Sequence, residues 1–154
     1  MRVATDRAVS VQLDGVRTPV ATARLAALSQ HVLGALHVKR AMLSVTLVSS
    51  RAMARLNRAH LGHRGATDII TFALGADPGS GIIADIYICP EVARAQAQAH
   101  GVGVREELAR LVVHGTLHAC GWEHPEGDER TRSPMWKRQE LLLRRFWIST
   151  PTSA

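Results

Sequence analysis

His114, His118 and His124 stand at a spacing that lets three imidazoles grip a single metal ion. His114 and His118 are four residues apart, so on a helix both side chains emerge from one face, one above the other. Gly121 can end that helix in a left-handed turn, which folds the chain back and brings His124 to the same point. Three neutral imidazoles with one coordination position left open are the layout of a catalytic zinc site, whereas a sealed structural site takes four protein ligands. Nickel, copper or iron would accept the same donors. The run H-x-x-x-H-x-x-G-x-x-H is the metzincin peptidase pattern with one omission, because Gly115 stands where the peptidase carries its general-base Glu. The spacing therefore points to a metal centre and away from peptide hydrolysis.

The elements that must position these residues are legible from periodicity. Val104 to Ala119 reads as the metal-bearing helix, with Leu108, Leu111, Val112, Thr116 and Leu117 turned to the core. Val9 to Leu13 and Leu43 to Val48 alternate as half-buried strands. Thr67 to Phe72 and Ile82 to Ile88 have the β-branched content of two more. A helix follows Thr18-Pro-Val20, with Val20, Leu25, Leu28, Val32 and Leu36 inward. Another runs from about Arg51 to Leu61, with Ser50 as its N-cap and Met53, Leu56 and Leu61 inward. Gly62 to Gly65 is a loop, and Gly75 to Gly81 a longer connection. A helix starts at Pro90 and ends near Gly101. Ser133-Pro134 caps and opens a last helix to about Trp147. The order predicts one α+β domain over residues 1–148, with a small mixed four-stranded sheet packed by about five helices and a frayed tail at 149–154. The metal would sit on a helix and the loop that follows it.

A chain of 154 residues is of single-domain size, and its net charge of +6 favours an anionic partner such as RNA, DNA or a membrane surface. Nearly all the cations are Arg, which suits bidentate phosphate contact, although an Arg- and Ala-rich chain also follows from genome composition. No run of 18 or more apolar residues is present to span a membrane. The segment Met1 to Asp6 has no apolar core before a cleavage site, so no secretory signal is expected. With only Cys89 and Cys120, a reducing cytoplasm is the expected compartment. Cys120 rotates off the face of the two helical histidines and reads as a packed residue, not a fourth ligand.

These residues resemble the YbeY family, metal-dependent endoribonucleases also called ribosomal RNA maturation factors. The resemblance rests on Leu56-Asn57, Thr67-Asp68-Ile-Ile-Thr-Phe72, Ala84-Asp85-Ile86, Glu107, the three-histidine run, Met135 and Gln139-Glu140. It implies one Zn²⁺ per chain on His114, His118 and His124. It also implies single-strand-specific cleavage in small-subunit ribosomal RNA maturation and ribosome quality control. The implied partners are ribosomal RNA and the small subunit, an assembly GTPase and a small-subunit ribosomal protein, with no membrane. Three positions depart from the family pattern. Ala84 replaces Gly, Glu123 replaces Asp, and Leu61 falls where many members carry an Arg proposed to act on RNA. Arg58, His63 and Arg64 are the candidates to bind RNA in its place, with Arg64 also a catalytic candidate.

Asp85 and Glu123 are the carboxylates expected to orient a ligand imidazole or handle a proton, with a structural hydrogen bond the alternative for each. Glu107 lies two turns above His114, about 10 Å along the axis, and suits a supporting role better than ligation. Thr67 and Asp68 read as fold determinants. Lys137, Arg138, Arg144 and Arg145 form a charge-rich helix face, either solvated or turned to RNA. Trp122 either lines the cleft or packs on the helix end. Three routes to RNA cleavage stay open: the metal polarises a phosphodiester oxygen, acidifies water as the nucleophile, or stabilises charge while the 2′-hydroxyl attacks. The competing functions are a non-catalytic RNA-binding ribosome-assembly factor whose metal is structural, and a metallopeptidase, which Gly115 disfavours.

Overall fold

A computed structural model of the chain describes residues 5–77 and 81–148. The alternating segments form one four-stranded sheet: β1 (Asp6–Asp14), β2 (Arg40–Val48), β3 (Ile69–Asp77) and β4 (Gly81–Ile88), in the order β1-β2-β4-β3. β1 and β2 are parallel, as are β2 and β4, while β3 runs antiparallel along β4. The long connection expected at Gly75–Gly81 is shorter than the sequence suggested, because strand pairing continues to Asp77 against Gly81. Residues 78–80 of that connection, and the tail at 149–154, lie outside the described residues.

Five α-helices surround the sheet: α1 (Thr22–Ala35), α2 (Ser50–Leu61), α3 (Pro90–His100), α4 (Val104–Ala119) and α5 (Pro134–Leu143). A 3₁₀ turn at Gly127–Arg132, which periodicity did not reveal, lies between α4 and α5. A π-helical turn at Arg144–Ile148 carries the last helix to the end of its expected span. The expected α+β fold is present; β1 and β2 each begin three residues earlier than alternation indicated, and β3 runs five residues further, to Asp77. Ser49, not Ser50, caps α2 by accepting from the Ala52 amide, while the Ser50 hydroxyl donates to Glu91. Leu61, expected inward, is 50% exposed at the last position of α2, beyond the part of the helix that Met53 anchors.

The two faces of the sheet are covered unequally. Ala41, Leu43, Val45 and Leu47 of β2, with Ala84, Ile86 and Ile88 of β4, are buried on one face. Val45, Leu47, Ile86 and Ile88 pack there with α1, α4 and α5. The other face carries α2 at one end, where Met53 meets Ile70 and partly covers Phe72 and Tyr87. Helix α4 is buried over most of its circumference, at Leu108, Ala109, Leu111, Val112, Val113 and Leu117 among others, leaving one polar stripe through Glu106, Arg110, His114 and His118. Its one buried hydroxyl is satisfied: Thr116 donates to the Val112 carbonyl at 2.7 Å and accepts from Ser29 at 2.9 Å.

Gly115 sets how close α4 comes to the sheet. A methyl group there would meet Ile69 at 2.9 Å and Ile86 at 3.0 Å. The position at which a metzincin carries its catalytic Glu is here pressed against the sheet, so the missing carboxylate has a packing cause. Gly115→Glu would force a charge into that contact. It is expected to destabilise the fold by about 3–5 kcal/mol, read as a lowered denaturant midpoint at unchanged slope. An unchanged midpoint would show that the helix is not seated as described.

Candidate metal centre

The end of α4 is built to turn the chain back. The Gly121 amide donates to the His118 carbonyl and the Trp122 amide to the Leu117 carbonyl, both at 3.0 Å, with Gly121 at φ +95°. This is a Schellman closure, and glycine is needed at its left-handed position. Trp122, the residue after Gly121, packs on the main core and anchors the turn instead of lining the cleft. His124 then faces the two helical histidines. Ring centroids are 4.6 Å apart for His114 and His118, 5.1 Å for His114 and His124, and 5.0 Å for His118 and His124. One ligand nitrogen from each lies within 4.8 Å of the others, so these three residues can hold one ion.

The tautomers follow from the partners. His114 Nδ1 lies 2.7 Å from the Gln139 side-chain oxygen, His118 Nδ1 2.8 Å from the Trp122 carbonyl, and His124 Nδ1 3.0 Å from the Pro125 carbonyl. All three partners only accept, so each Nδ1 carries the proton and donates it, and each Nε2 keeps its lone pair. The donor set is therefore three neutral imidazoles, which suits zinc-like ions. Burial pushes the His114 imidazole down to about 4. The Gln139 hydrogen bond opposes this, and His118, His124 and Arg130 add to it. Burial likewise holds His118 below the ordinary histidine range, with the Trp122 carbonyl opposing. Both rings are thus neutral and ready for a metal at neutral pH.

Behind His114 lies a chain of polar contacts that sequence reasoning left largely unread. Gln139, 1% exposed, donates from its amide nitrogen to Glu140 at 3.1 Å. Glu140 accepts from Arg110, which also donates to Glu106 at 3.3 Å and Glu107 at 3.0 Å. Burial alone would weaken the Arg110 charge, but the three carboxylates outweigh it and raise its pKa. Glu107 thus has the supporting role expected of it, through Arg110. The sequence signal was the Gln139-Glu140 pair within the resemblance, whose spacing to His114 is not local.

The remaining candidates separate. Glu123 is exposed beside the ligands, and its charge acts on His118. Asp85 sits between Ala84 and Ile86, and since Ile86 faces Gly115 of α4, Asp85 points to the opposite face of the sheet. Its assignment as a carboxylate beside the metal is corrected on that ground. Arg58 and Arg64 line a groove with Arg51 and Arg55, and neither is among the residues that line the cleft with His114. His63 is exposed in the loop, its amide bonded to the Asn57 carbonyl. Cys120 packs beside Leu33, Leu43 and Ala84, and burial pushes its thiol up to about 11. It is not among the grouped ligands. Asp68 and Arg130, neither singled out for the site, line the cleft with His114.

With this geometry in hand, the comparisons with known proteins are decisive. The family model described as Endoribonuclease YbeY matches residues 12–147. The chain belongs to the YbeY family. A relative from Frankia alni named Endoribonuclease YbeY is 38% identical over 149 residues, covering 88% of this chain and 81% of its own. The YbeY endoribonuclease of Thermobifida fusca is 38% identical over 134 residues, covering 81% and 85%, and that of Mycobacterium marinum 33% over 146 residues, covering 88% and 80%. Among solved structures, a protein from Thermotoga maritima determined in solution has the same fold, with a TM-score of 0.62, 25% identity, and coverage of 90% of this chain and 89% of that one. The YbeY fold thus accounts for the mixed sheet and for the helix, carrying His114 and His118, laid across it.

Two measurements test the centre. Gln139→Leu removes the acceptor for His114 Nδ1–H and is expected to weaken metal affinity about 10- to 100-fold, read by competition with a chromogenic chelator. The metal-free chain is expected to lose stability as pH falls from about 6.5 toward 4. In that window the unfolded chain takes up protons that folded His114 and His118 resist. Denaturant midpoints of the metal-free protein across that range, compared with His114→Asn, should show a shallower slope in the variant.

Proposed function

We propose that this chain is a single-strand-specific, zinc-dependent endoribonuclease of small-subunit ribosomal RNA maturation and ribosome quality control. The observation that carries the reading is the outward fastening of all three Nδ1–H groups, which aims three neutral Nε2 lone pairs at one point. A divalent ion held there supplies uncompensated positive charge to an anionic phosphodiester and can acidify water. Family membership supports RNA as the substrate and the endonucleolytic reaction. The single histidine group among the described residues supports the reading of one ion per chain.

The chain's own residues divide the remaining work. Arg51, Arg55 and Arg58 recur along one side of α2, and with Arg64 they line a single groove suited to an RNA backbone. His63 extends that basic stretch in the loop and stands, with Arg58 and Arg64, in place of the cation missing at Leu61. Glu123 is the carboxylate available to move a proton beside the ligands. Gly115, sealed against the sheet, cannot be replaced by a helical base, which sets the site apart from peptidases. The proposed partners are ribosomal RNA, the small subunit, an assembly GTPase and a small-subunit ribosomal protein, in the cytoplasm. No helix among the described residues is long and apolar enough to cross a membrane.

The test is cleavage of ribosomal RNA by zinc-quantified protein beside His118→Ala and an Arg55→Ala/Arg58→Ala double variant. His118→Ala is expected to lose about 10³-fold in rate with RNA binding retained. The double arginine variant is expected to bind more weakly, with a salt slope reduced by about 0.7 per lost contact. Equal cleavage by native chain and His118→Ala would expose a contaminant. Binding without cleavage by the loaded native chain would favour the non-catalytic assembly factor.

A further inference from the structure

Beside the metal centre lies a cavity of about 340 Å³, enclosed by the start of β3, by α3 and α4, and by the 3₁₀ turn and first turn of α5. His114 forms part of its wall. We propose that this cavity is a nucleobase subsite, in which one unstacked base of a single-stranded RNA lies against the Trp136 ring next to the metal centre. The inference rests on the reading of that centre as an RNA-cleaving site, and it assigns the site a specific grip on its substrate.

The tryptophans are not equivalent. Trp147 is in the main core and Trp122 is packed against it, but Trp136 belongs to neither core group and lines the cavity instead. Its position is fixed, because its amide donates to the capping Ser133 hydroxyl at 3.2 Å on the first turn of α5. The Arg130 guanidinium stands 5.6 Å from the ring centroid. A large, half-buried aromatic held on a rigid helix start, at the edge of a cavity, is suited to stacking on another ring.

Charge decides what kind of ring. Arg110 is the only cation on the α4 wall, and its donors are directed to Glu106, Glu107 and Glu140. The α4 wall therefore directs its guanidinium to carboxylates and not to a phosphate, while Arg130, the other guanidinium lining the cavity, stands beside the Trp136 ring where it can lie against a stacked base. Val102 and Leu111 give the lining apolar surface, while Asp68, Gln96 and Thr131 add acceptors and donors. Asp68 is already oriented, since the Thr67 hydroxyl donates to one of its carboxylate oxygens at 3.2 Å. Apolar lining, an aromatic side and polar groups match a flat heterocycle with N–H groups on its edge. The volume of about 340 Å³ is ample for one base, and only an unpaired base can turn its face and edge into the cavity.

The test uses metal-loaded full-length protein and a short 2′-O-methyl single-stranded RNA that is bound but not cut through its 2′-hydroxyl, followed by fluorescence anisotropy. An abasic residue is moved along the strand. One position is expected to cost about tenfold in affinity for the native chain. Trp136→Leu should lose about the same on the intact strand and nothing further on the strand abasic at that position. Trp136→Phe, which keeps an aromatic face, should stay within about threefold of native. No sensitive abasic position in the native chain overturns the subsite, even if Trp136→Leu fails to fold. Equal losses by Trp136→Leu on intact and abasic strands also overturn it. Cleavage of unmodified RNA is scored separately. A base-sensitive protein that does not cut supports the subsite while removing the nuclease reading, and a protein that cuts without base sensitivity does the reverse.

Discussion

The seat of α4 on the sheet at Gly115 is the constraint from which the metal centre follows. A helix turns about 100° per residue, so with position 115 pinned inward, positions 114 and 118 fall on one flank about 40° apart. Both imidazoles are thereby carried out beside the sheet at a height set by Ile69 and Ile86, the side chains that a Cβ at 115 would strike. The same contact removes the one helical position from which a carboxylate could reach the ion, as it does in peptidases. Packing and chemistry are settled at a single residue that has no side chain.

The second determinant is polar and reaches across two helices. Arg110 and three glutamates are partly buried together, an arrangement that adds little net stability, because desolvation offsets most of the attraction. What it provides is position. Glu140 on α5 is held by Arg110 on α4 and in turn holds Gln139, whose oxygen receives the His114 proton. The orientation of one ligand ring is thus tied to an ion cluster one turn away. The other two rings are fastened to backbone carbonyls that the Schellman turn and Pro125 supply.

Much of this was legible in the sequence, for identifiable reasons. The i, i+4 histidines and the glycine that ends their helix are local, so spacing alone placed them, and α4 runs from Val104 to Ala119 as its periodicity predicted. Alternation gave the strands for the same reason. What failed was non-local. Asp85 was placed beside the metal because it sits in a motif, yet the side of a strand that faces α4 is decided by register, and Ile86 occupies it. Arg64 was a candidate because it could supply the cation missing at Leu61, and the fold turns it into the groove of α2. Leu61 continued an apolar period past the point where α2 touches the sheet. Arg130 gave no signal because a 3₁₀ turn has too few residues to show a period, and Trp136 gave none because its approach to His114 across the cleft is not local in sequence.

The charge distribution separates the tasks that RNA cleavage requires. Three neutral ligands leave the charge of a bound ion undiminished, and an anionic phosphodiester responds to that charge far more strongly than a neutral peptide bond does. The protein does not add cations deep in the neighbouring cavity, where the donors of Arg110 are already directed to carboxylates. Arg130 lines the cleft beside Trp136, and further cations lie in the α2 groove with Arg58 and Arg64. A backbone drawn to those exposed arginines would present phosphate to the metal, while the charge-compensated cavity excludes it. A strand reaches both regions at once when its bases are free to turn away from a partner, which is the configuration that the proposed base subsite requires.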